Sequence, residues 1–119
     1  MRTHENLEVW KRAVDFVVRI YKCTESFPSD ERFGLISQLR RAAVSIPANI
    51  AEGAARKFPK ETLHFVSNAQ GSASEVSTEL LIAWKLGYLD ETKFQELSTE
   101  CDELGKMMSG WSRYMRDRG

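Results

Sequence analysis

Glycine, proline and cysteine are all scarce in this sequence, which holds seven glycines, three prolines and two cysteines among 119 residues. So few turn-forming residues argue against a β-sandwich or barrel, where tight turns recur along the chain, and favour long helices. The two cysteines, Cys23 and Cys101, are too far apart in sequence for a CxxC redox or metal motif. We therefore expect two free thiols, as in a reducing compartment.

An excess of charge of either sign is also missing. Lys plus Arg and Asp plus Glu number 17 each, so the formal net charge is zero. A globally basic protein is excluded, and any nucleic-acid contact has to come from a local patch or from several copies acting together. Charged residues interrupt the first twenty positions, so we expect no signal peptide, no spanning helix and no membrane partner. The expected location is the cytoplasm.

Three breaks divide the chain into four segments. They fall at 26–29, 53–59 and 86–90. Pro28 and Pro59 suit helix boundaries, with Ser29 as a cap for the second helix. Gly87 suits a helix C-cap and Asp90 an N-cap. The intervals between the breaks predict helices of about 17, 25, 27 and 26 residues.

Apolar residues recur in alternating steps of three and four along every segment. The four stripes are Trp10, Ala13, Val17, Ile20; Ile36, Leu39, Ala43, Ile46, Ile50; Val66, Ala69, Ala73, Val76, Leu80, Ala83; and Phe94, Leu97, Cys101, Leu104, Met108, Trp111, Met115. This spacing is typical of nearly antiparallel helices packed knobs-into-holes. The predicted fold is all-α, an up-and-down antiparallel four-helix bundle that forms a single domain over residues 1–119.

Two polar lines run beside the stripes of the second and third segments. Asn49 belongs to the first line and is expected to pair with the third segment or with a neighbouring subunit. If these segments form an antiparallel hairpin, residues whose numbers sum to about 116 lie at the same level. Such pairs would fix the register of the two helices. The predicted pairs are Arg41 with Glu75, Glu52 with His64, and Arg56 with Glu61.

The sequence does not indicate a catalytic site. His64 and Glu52 would offer a hydrolase an acid and base pair, but no Ser or Cys nucleophile with an orienting group accompanies them. A single histidine beyond the first few residues and scattered glutamates make a poor metal cage. Isolated glycines do not form a phosphate-binding loop. We therefore predict a protein that is not an enzyme and uses neither a cofactor nor a metal.

Basic residues are concentrated in the second segment and the turn that follows it. Residues 32–60 hold six Lys or Arg against one Glu, a net charge of +5. A ring of identical subunits would gather these charges around one axis and strengthen a weak local field for phosphates. The alternative is an ordinary solvated loop. The predicted nucleic-acid-binding residues are Arg40, Arg41, Arg56, Lys57 and Lys60.

The second segment also has apolar surface away from its buried stripe. Val44, Pro47, Ala48 and Ala51 lie on this flank. Monomers seldom leave such patches in water, so the flank predicts an interface between copies of the chain. The alternative is a small bundle that buries wide faces.

The run Phe33–Gly53, FGLISQLRRAAVSIPANIAEG, strongly resembles the bacterial four-helix-bundle family of 23S rRNA intervening-sequence proteins. The motifs LEVW at Leu7–Trp10 and LGYL at Leu86–Leu89 are similar to the same family, so the resemblance covers nearly the whole chain. It implies a left-handed bundle that assembles as a homopentamer. It also implies kinship with the accessory proteins of diversity-generating retroelements, which bind a reverse transcriptase and nucleic acid.

Two functions stay open from the sequence. The first is a non-enzymatic, self-assembling helical bundle whose basic residues contact RNA or DNA, which the +5 segment and the resemblance favour. The second is an oligomeric protein-binding scaffold for an enzyme partner such as a reverse transcriptase, without direct nucleic-acid contact. In that case Arg40, Arg41 and Arg56 serve the structure only.

Overall fold

Four α-helices make up the protein, and no strand occurs in the computed structural model, which describes residues 4 and 7–118. Each helix packs against its neighbours in the chain, and the first also packs against the last, around one shared core. The particle measures 45 × 21 × 21 Å. This confirms the predicted all-α four-helix bundle. The helices are α1 Glu8–Thr24, α2 Leu35–Ala54, α3 Pro59–Lys85 and α4 Glu91–Arg118, with a one-turn 3-10 helix at Ser29–Glu31.

The helix ends around α3 follow the local chemistry of the sequence. Pro59 is the first residue of α3, where a missing N–H removes no helix bond. At the other end Gly87 has φ of +82°, and the Tyr88 N–H bonds to the Ala83 carbonyl at 2.9 Å, a Schellman ending. The Asp90 carboxylate then accepts from the Lys93 N–H at 2.7 Å and caps α4. The predicted boundaries are confirmed here.

The prediction for the start of α2 was wrong. The helix begins at Leu35, six residues after Ser29, and has 20 residues. Ser29 belongs to the separate 3-10 turn, and Gly34 has φ of −110° and ψ of −111°, which interrupts the helix before Leu35. The cap comes from Glu31, whose Oε1 accepts from the Leu35 N–H at 3.1 Å. A carboxylate near a helix N-terminus is also favoured by the helix dipole.

The core draws on all four helices, and the α3 stripe is buried as predicted. The α1 stripe is rotated from the prediction, because Val9 and Phe16 fill the core while Trp10 and Val17 are only partly buried. The Phe16 ring is fully buried and fills space between the helices, because protein interiors are closely packed. In α4, Ser112 is buried and Trp111 lies at the edge of the core.

The most extensive helix contact is between α2 and α3, and hydrogen bonds of small side chains set the register of this pair. The Ser72 hydroxyl donates to the Ser45 hydroxyl at 2.8 Å, and the Thr62 hydroxyl donates to the Gly53 carbonyl at 2.9 Å. These contacts agree with the antiparallel register expected from the sequence. A Cβ added at Gly53 would lie 3.2 Å from the Phe65 Cβ and 3.3 Å from the Thr62 carbonyl oxygen. Glycine therefore allows the two backbones to approach here.

Contact between α1 and α4 is the least extensive of the four helix pairs. A bidentate ion pair joins them: Arg12 Nη2 lies 2.6 Å from Glu100 Oε1, and Arg12 Nε lies 3.1 Å from Glu100 Oε2. Within the described ranges, no helix is both long and apolar enough to cross a membrane.

Candidate functional site

The predicted basic residues lie in two groups at opposite ends of α2. Arg40 and Arg41 lie in its second turn, whereas Arg56, Lys57 and Lys60 lie at the turn into α3. At 1.5 Å of rise per residue, Arg41 and Arg56 are about 20 Å apart along the axis. A single chain therefore does not bring all five residues together.

Arg40 is tied into the structure. Its Nε donates to the Thr24 hydroxyl at 2.8 Å and its Nη2 donates to the Tyr21 carbonyl at 3.2 Å. The guanidinium carbon lies 4.6 Å from the centre of the Tyr21 ring, a cation–π contact. Arg40 therefore joins the end of α1 to α2. Arg41, one position later, is exposed.

Arg56 lies two residues beyond the end of α2 and is also engaged, by a residue in the last turn of that helix. Its Nη2 pairs with the Glu52 carboxylate, and its Nε donates to the Glu52 carbonyl at 3.1 Å. The guanidinium carbon lies 4.8 Å from the Phe65 ring centre. Lys57 and Lys60 are exposed and form no ion pair with any described residue. At the turn into α3, Lys57 and Lys60 are therefore more available to an anion than Arg56 is.

The predicted charge pairs between α2 and α3 do not form among residues 7–118. Glu52 pairs with Arg56, which lies four residues further along the chain, just beyond the end of α2. His64 is exposed and lies edge-on to the Phe65 ring, 5.2 Å between ring centres. An acid and base pair of Glu52 with His64 is therefore not assembled. Neither Arg41 with Glu75 nor Arg56 with Glu61 makes an ion pair.

The amide nitrogen of the Asn49 side chain forms its hydrogen bonds within α2. Its Nδ2 donates to the carbonyl oxygen and to the hydroxyl oxygen of Ser45, both at 2.9 Å. Because Ser45 in turn accepts from Ser72, Asn49 reaches α3 only through that hydroxyl. The three side chains form a short polar chain beside the core.

An open groove of about 430 Å³ lies beside the start of α2, where it meets the end of α1. Its most prominent side chain is Phe33, which is 90% exposed, and the guanidinium carbon of Arg32 lies 5.9 Å from the Phe33 ring centre. We name this surface the arginine–aromatic patch. Its residues are Tyr21, Arg32, Phe33, Ile36, Arg40 and Arg41.

The turn that carries Phe33 is held from both sides. Glu31 Oε1 accepts from the Leu35 N–H at 3.1 Å, and Glu31 Oε2 accepts from the Tyr88 hydroxyl at 3.0 Å. The bond to this carboxylate raises the pKa of Tyr88 above its usual value, because loss of the phenol proton would break the bond and place two negative charges together. A Cβ on Gly34 would lie 2.8 Å from Glu31 Oε1. Glycine leaves the room that this carboxylate occupies.

The arginines of the patch are not neutralised by described carboxylates. Arg32, Arg40 and Arg41 form no ion pair, whereas Arg12 and Arg56 do. Asp30 and Glu31 lie in the turn before Arg32, and the two Glu31 oxygens accept hydrogen bonds from the Leu35 N–H and the Tyr88 hydroxyl rather than from an arginine. Positive charge beside an open groove attracts anions, and phosphate oxygens accept the fork of guanidinium donors.

Sequence reasoning missed four residues of the patch. Tyr21, Arg32 and Phe33 were not chosen as site residues, and Ile36 was assigned to the buried stripe. No clear sequence signal marks Phe33, because it lies three residues before Ile36 and its spacing extends the buried stripe predicted for the second segment. The cation–π stacking of Arg40 on Tyr21 depends on how α1 meets α2, which spacing along one helix does not reveal.

The apolar flank of α2 is accessible. Val44 is 42% exposed, Ala48 is exposed, and Pro47 and Ala51 are partly buried. The flank lies between the two basic groups on the outer side of α2. A copy of the chain packed against it would therefore lie beside both groups.

Two cysteines and one buried glutamate lie outside these surfaces. Cys23 and Cys101 are free thiols, and burial raises the pKa of each to about 11, so they are poor nucleophiles at neutral pH. Glu79 is 6% exposed, and its Oε1 has no hydrogen-bond partner among the described groups. Burial, together with Glu75, raises the pKa of Glu79 to about 7.

Together these features define an all-α, antiparallel four-helix bundle with a basic and aromatic surface at one end. The sequence model of the family described as 23S rRNA-intervening sequence protein matches residues 5–110, and the chain belongs to this family. The resemblance that was based on Phe33–Gly53 is confirmed.

A solved structure supports the fold. It is the crystal structure of a protein with unknown function from the S23 ribosomal protein family of Bacteroides thetaiotaomicron VPI-5482. The alignment has a TM-score of 0.79 and 21% identity, and it covers 87% of this chain and 97% of the other. No protein of curated function matches the chain. The description of the family names no enzymatic activity.

Proposed function

We propose that the protein is a non-enzymatic, self-assembling bundle that contacts RNA or DNA through basic residues of the oligomer. The observation that carries this proposal is the set of three arginines, Arg32, Arg40 and Arg41, that line one open groove without a carboxylate partner among the described residues. Phosphate contact by Lys and Arg dominates affinity for nucleic acid in proteins of many folds.

The basic residues are expected to contribute unequally. Arg41, Lys57 and Lys60 are exposed and unpaired with described carboxylates, so each can meet a phosphate without breaking an existing contact. Arg40 keeps free donors after its bonds to α1, while Arg56 has to share its guanidinium with Glu52. We therefore assign the main phosphate contacts to Arg41 and the likewise exposed Arg32 at the groove, and to the two lysines at the other end of α2.

Self-assembly would strengthen this weak local field. The net charge of one chain is zero, so a single copy attracts a polyanion only through its local basic groups. Packing through the flank of Val44, Pro47, Ala48 and Ala51 would repeat both basic groups around an axis. A homopentamer, as the family resemblance implies, would carry five copies of each group.

Salt-dependent binding tests the proposal. Fluorescence anisotropy of labelled RNA and DNA should show binding at low salt that weakens steeply as salt is added, because phosphate contacts release counterions. The triple variant Arg41→Gln, Lys57→Gln, Lys60→Gln should lower both affinity and salt slope. A matched variant, Lys11→Gln with Lys85→Gln and Lys106→Gln, removes the same charge elsewhere and should bind nearly as wild type. Absence of binding at low salt would sink the proposal.

The scaffold function is the second candidate, and the anchoring of Arg40 and Arg56 favours it, since both are used inside the chain. It does not account for Arg41, which is exposed and makes no ion pair with a described residue. A scaffold would keep its oligomeric mass and bind a protein partner while ignoring both nucleic acids in the anisotropy assay.

A further inference from the structure

We propose that the arginine–aromatic patch binds single-stranded nucleic acid, with an unpaired base stacked on Phe33 and the adjoining phosphates held by Arg32 and Arg41. This inference rests on the proposed function and deepens it. It names the place on the molecule and the form of the nucleic acid.

The exposure of Phe33 is the first step. Its ring is 90% exposed, the highest value of any large apolar side chain in the described part of the chain, and it contributes little to the core. Trp84 and Phe94 instead stack on each other with ring centres 4.8 Å apart. A solvent-facing ring offers its π-face to a flat partner. Stacking of a base on an aromatic side chain is worth about 1–3 kcal/mol.

The second step is that the ring stands on an ordered turn. Phe27 on one side of the turn and Leu35 on the other are both buried in the core. Glu31 ties the same turn to Leu35 and to Tyr88. A platform that is already positioned loses little conformational entropy on binding. Phe33 is thus presented before any ligand arrives.

The third step is charge. The Arg32 guanidinium carbon lies over one face of the Phe33 ring, 5.9 Å from its centre, and Arg40 and Arg41 line the same groove from the second turn of α2. No described carboxylate neutralises them. Cations flanking an aromatic platform match the alternation of phosphates and bases along one strand. An apolar protein segment would leave these charges without partners.

The fourth step separates a single strand from a duplex. In a duplex the faces of each base are covered by its neighbours, so a ring on a surface turn cannot stack on them. Duplex contact would use phosphates alone and would be indifferent to Phe33. The contribution of Phe33 to affinity therefore distinguishes binding of a single strand from binding of a duplex.

The experiment measures anisotropy of three labelled probes: an oligothymidylate of about 12 nucleotides, an abasic strand of equal length, and a duplex of equal length. Phe33→Ala should weaken binding of the oligothymidylate about tenfold or more. It should leave the abasic strand and the duplex nearly unchanged. Phe33→Trp should restore binding of the oligothymidylate, since a larger ring still stacks.

The matched control is Tyr114→Ala, which removes another exposed ring, 51% exposed, on α4 and outside both basic groups of α2. It should leave all three affinities as in wild type. Because Phe33 lies outside the core, each variant should keep its helical circular dichroism and its mass by light scattering.

Three results would overturn the inference. If Phe33→Ala weakens all probes equally or none of them, Phe33 does not stack on a base, although the proposed function stands while Arg41, Lys57 and Lys60 still matter. If Phe33→Ala changes the oligomer mass, the ring is a contact between copies. If wild type binds no probe at low salt, the proposed function fails as well.

Discussion

Glu79 is an acidic group in an apolar setting on α3. Its carboxylate is buried, one oxygen lacks a hydrogen-bond partner among the described groups, and Glu75 lies one turn away. Both the loss of water and the neighbouring negative charge favour the protonated form, and together they raise its pKa from 4.5 to about 7. The side chain is thus tolerated best when it is neutral.

The pH dependence of stability follows from this shift. Because the folded-state pKa lies above the unfolded one, the favourable contribution is complete below pH 4.5 and is lost as pH rises through about 7. Glu79→Gln removes the charge and should raise the free energy of unfolding at pH 8, by at most about 3 kcal/mol, with little effect near pH 4.5. Urea unfolding at both pH values measures the difference.

The control for Glu79 is Asp102→Asn, which neutralises an exposed carboxylate in the interior of α4. It should change stability little at either pH. Equal pH dependence in wild type and Glu79→Gln would contradict the assignment.

The contact between α2 and α3 depends on glycine at one level only. Gly53 faces α3, where a Cβ would press on the Thr62 carbonyl and the Phe65 Cβ. Gly71, in the middle of α3, has open space where a Cβ would stand. Backbone atoms of a packed helix move little, so the two glycines should respond to alanine in opposite directions.

We predict that Gly53→Ala destabilises the protein by about 1–2 kcal/mol, because overpacking exceeds the gain in helix propensity. Gly71→Ala should stabilise it by about 0.5–1 kcal/mol, since only propensity changes. Thermal and urea unfolding of both variants give the comparison. The close approach would be disproved by equal stabilisation at the two sites.

The helices were largely predictable from sequence, because their ends rely on local chemistry. Pro59, Gly87 and Asp90 act within one turn of themselves, and their roles could be inferred without tertiary structure. The start of α2 could not, since its cap comes from Glu31, whose other oxygen is held by Tyr88 from a distant turn.

The candidate site was less predictable for a related reason. Residue spacing identified Arg40 and Arg41 but not their surroundings, because Tyr21 and Phe33 reach the patch from outside α2. The charge pairs failed because levels along a helix do not fix side-chain direction. Glu52 had a nearer partner in Arg56. The contacts of Ser45 with Ser72 and of Gly53 with Thr62 do have the expected register.

The proposed assembly would bring together features that are weak in one copy. The outer side of α2 combines an exposed apolar flank with basic groups at either end, while the remaining chain balances the charge. Copies joined through the flank would hide the apolar surface and repeat the basic groups.

A charge placed on the flank tests this arrangement. Ala48→Glu puts a carboxylate where the proposed interface would exclude water, and unpaired buried charge is strongly unfavourable. We expect a fall in mass by light scattering with unchanged helicity, because Ala48 is exposed in the single chain. Ser67→Glu, at an exposed position on α3, should keep the wild-type mass. A variant at Ala48 that assembled normally would exclude the flank as the interface.

The carboxylate of Glu31 fastens two corners of the bundle that are far apart in sequence. The corner with Phe33 is open to solvent, whereas the corner with Tyr88 rests on the reversed ending of α3. The exposed corner therefore owes its shape to a remote anchor. Substitution of Gly87 or Tyr88 would therefore loosen the arginine–aromatic patch, although neither residue lines it.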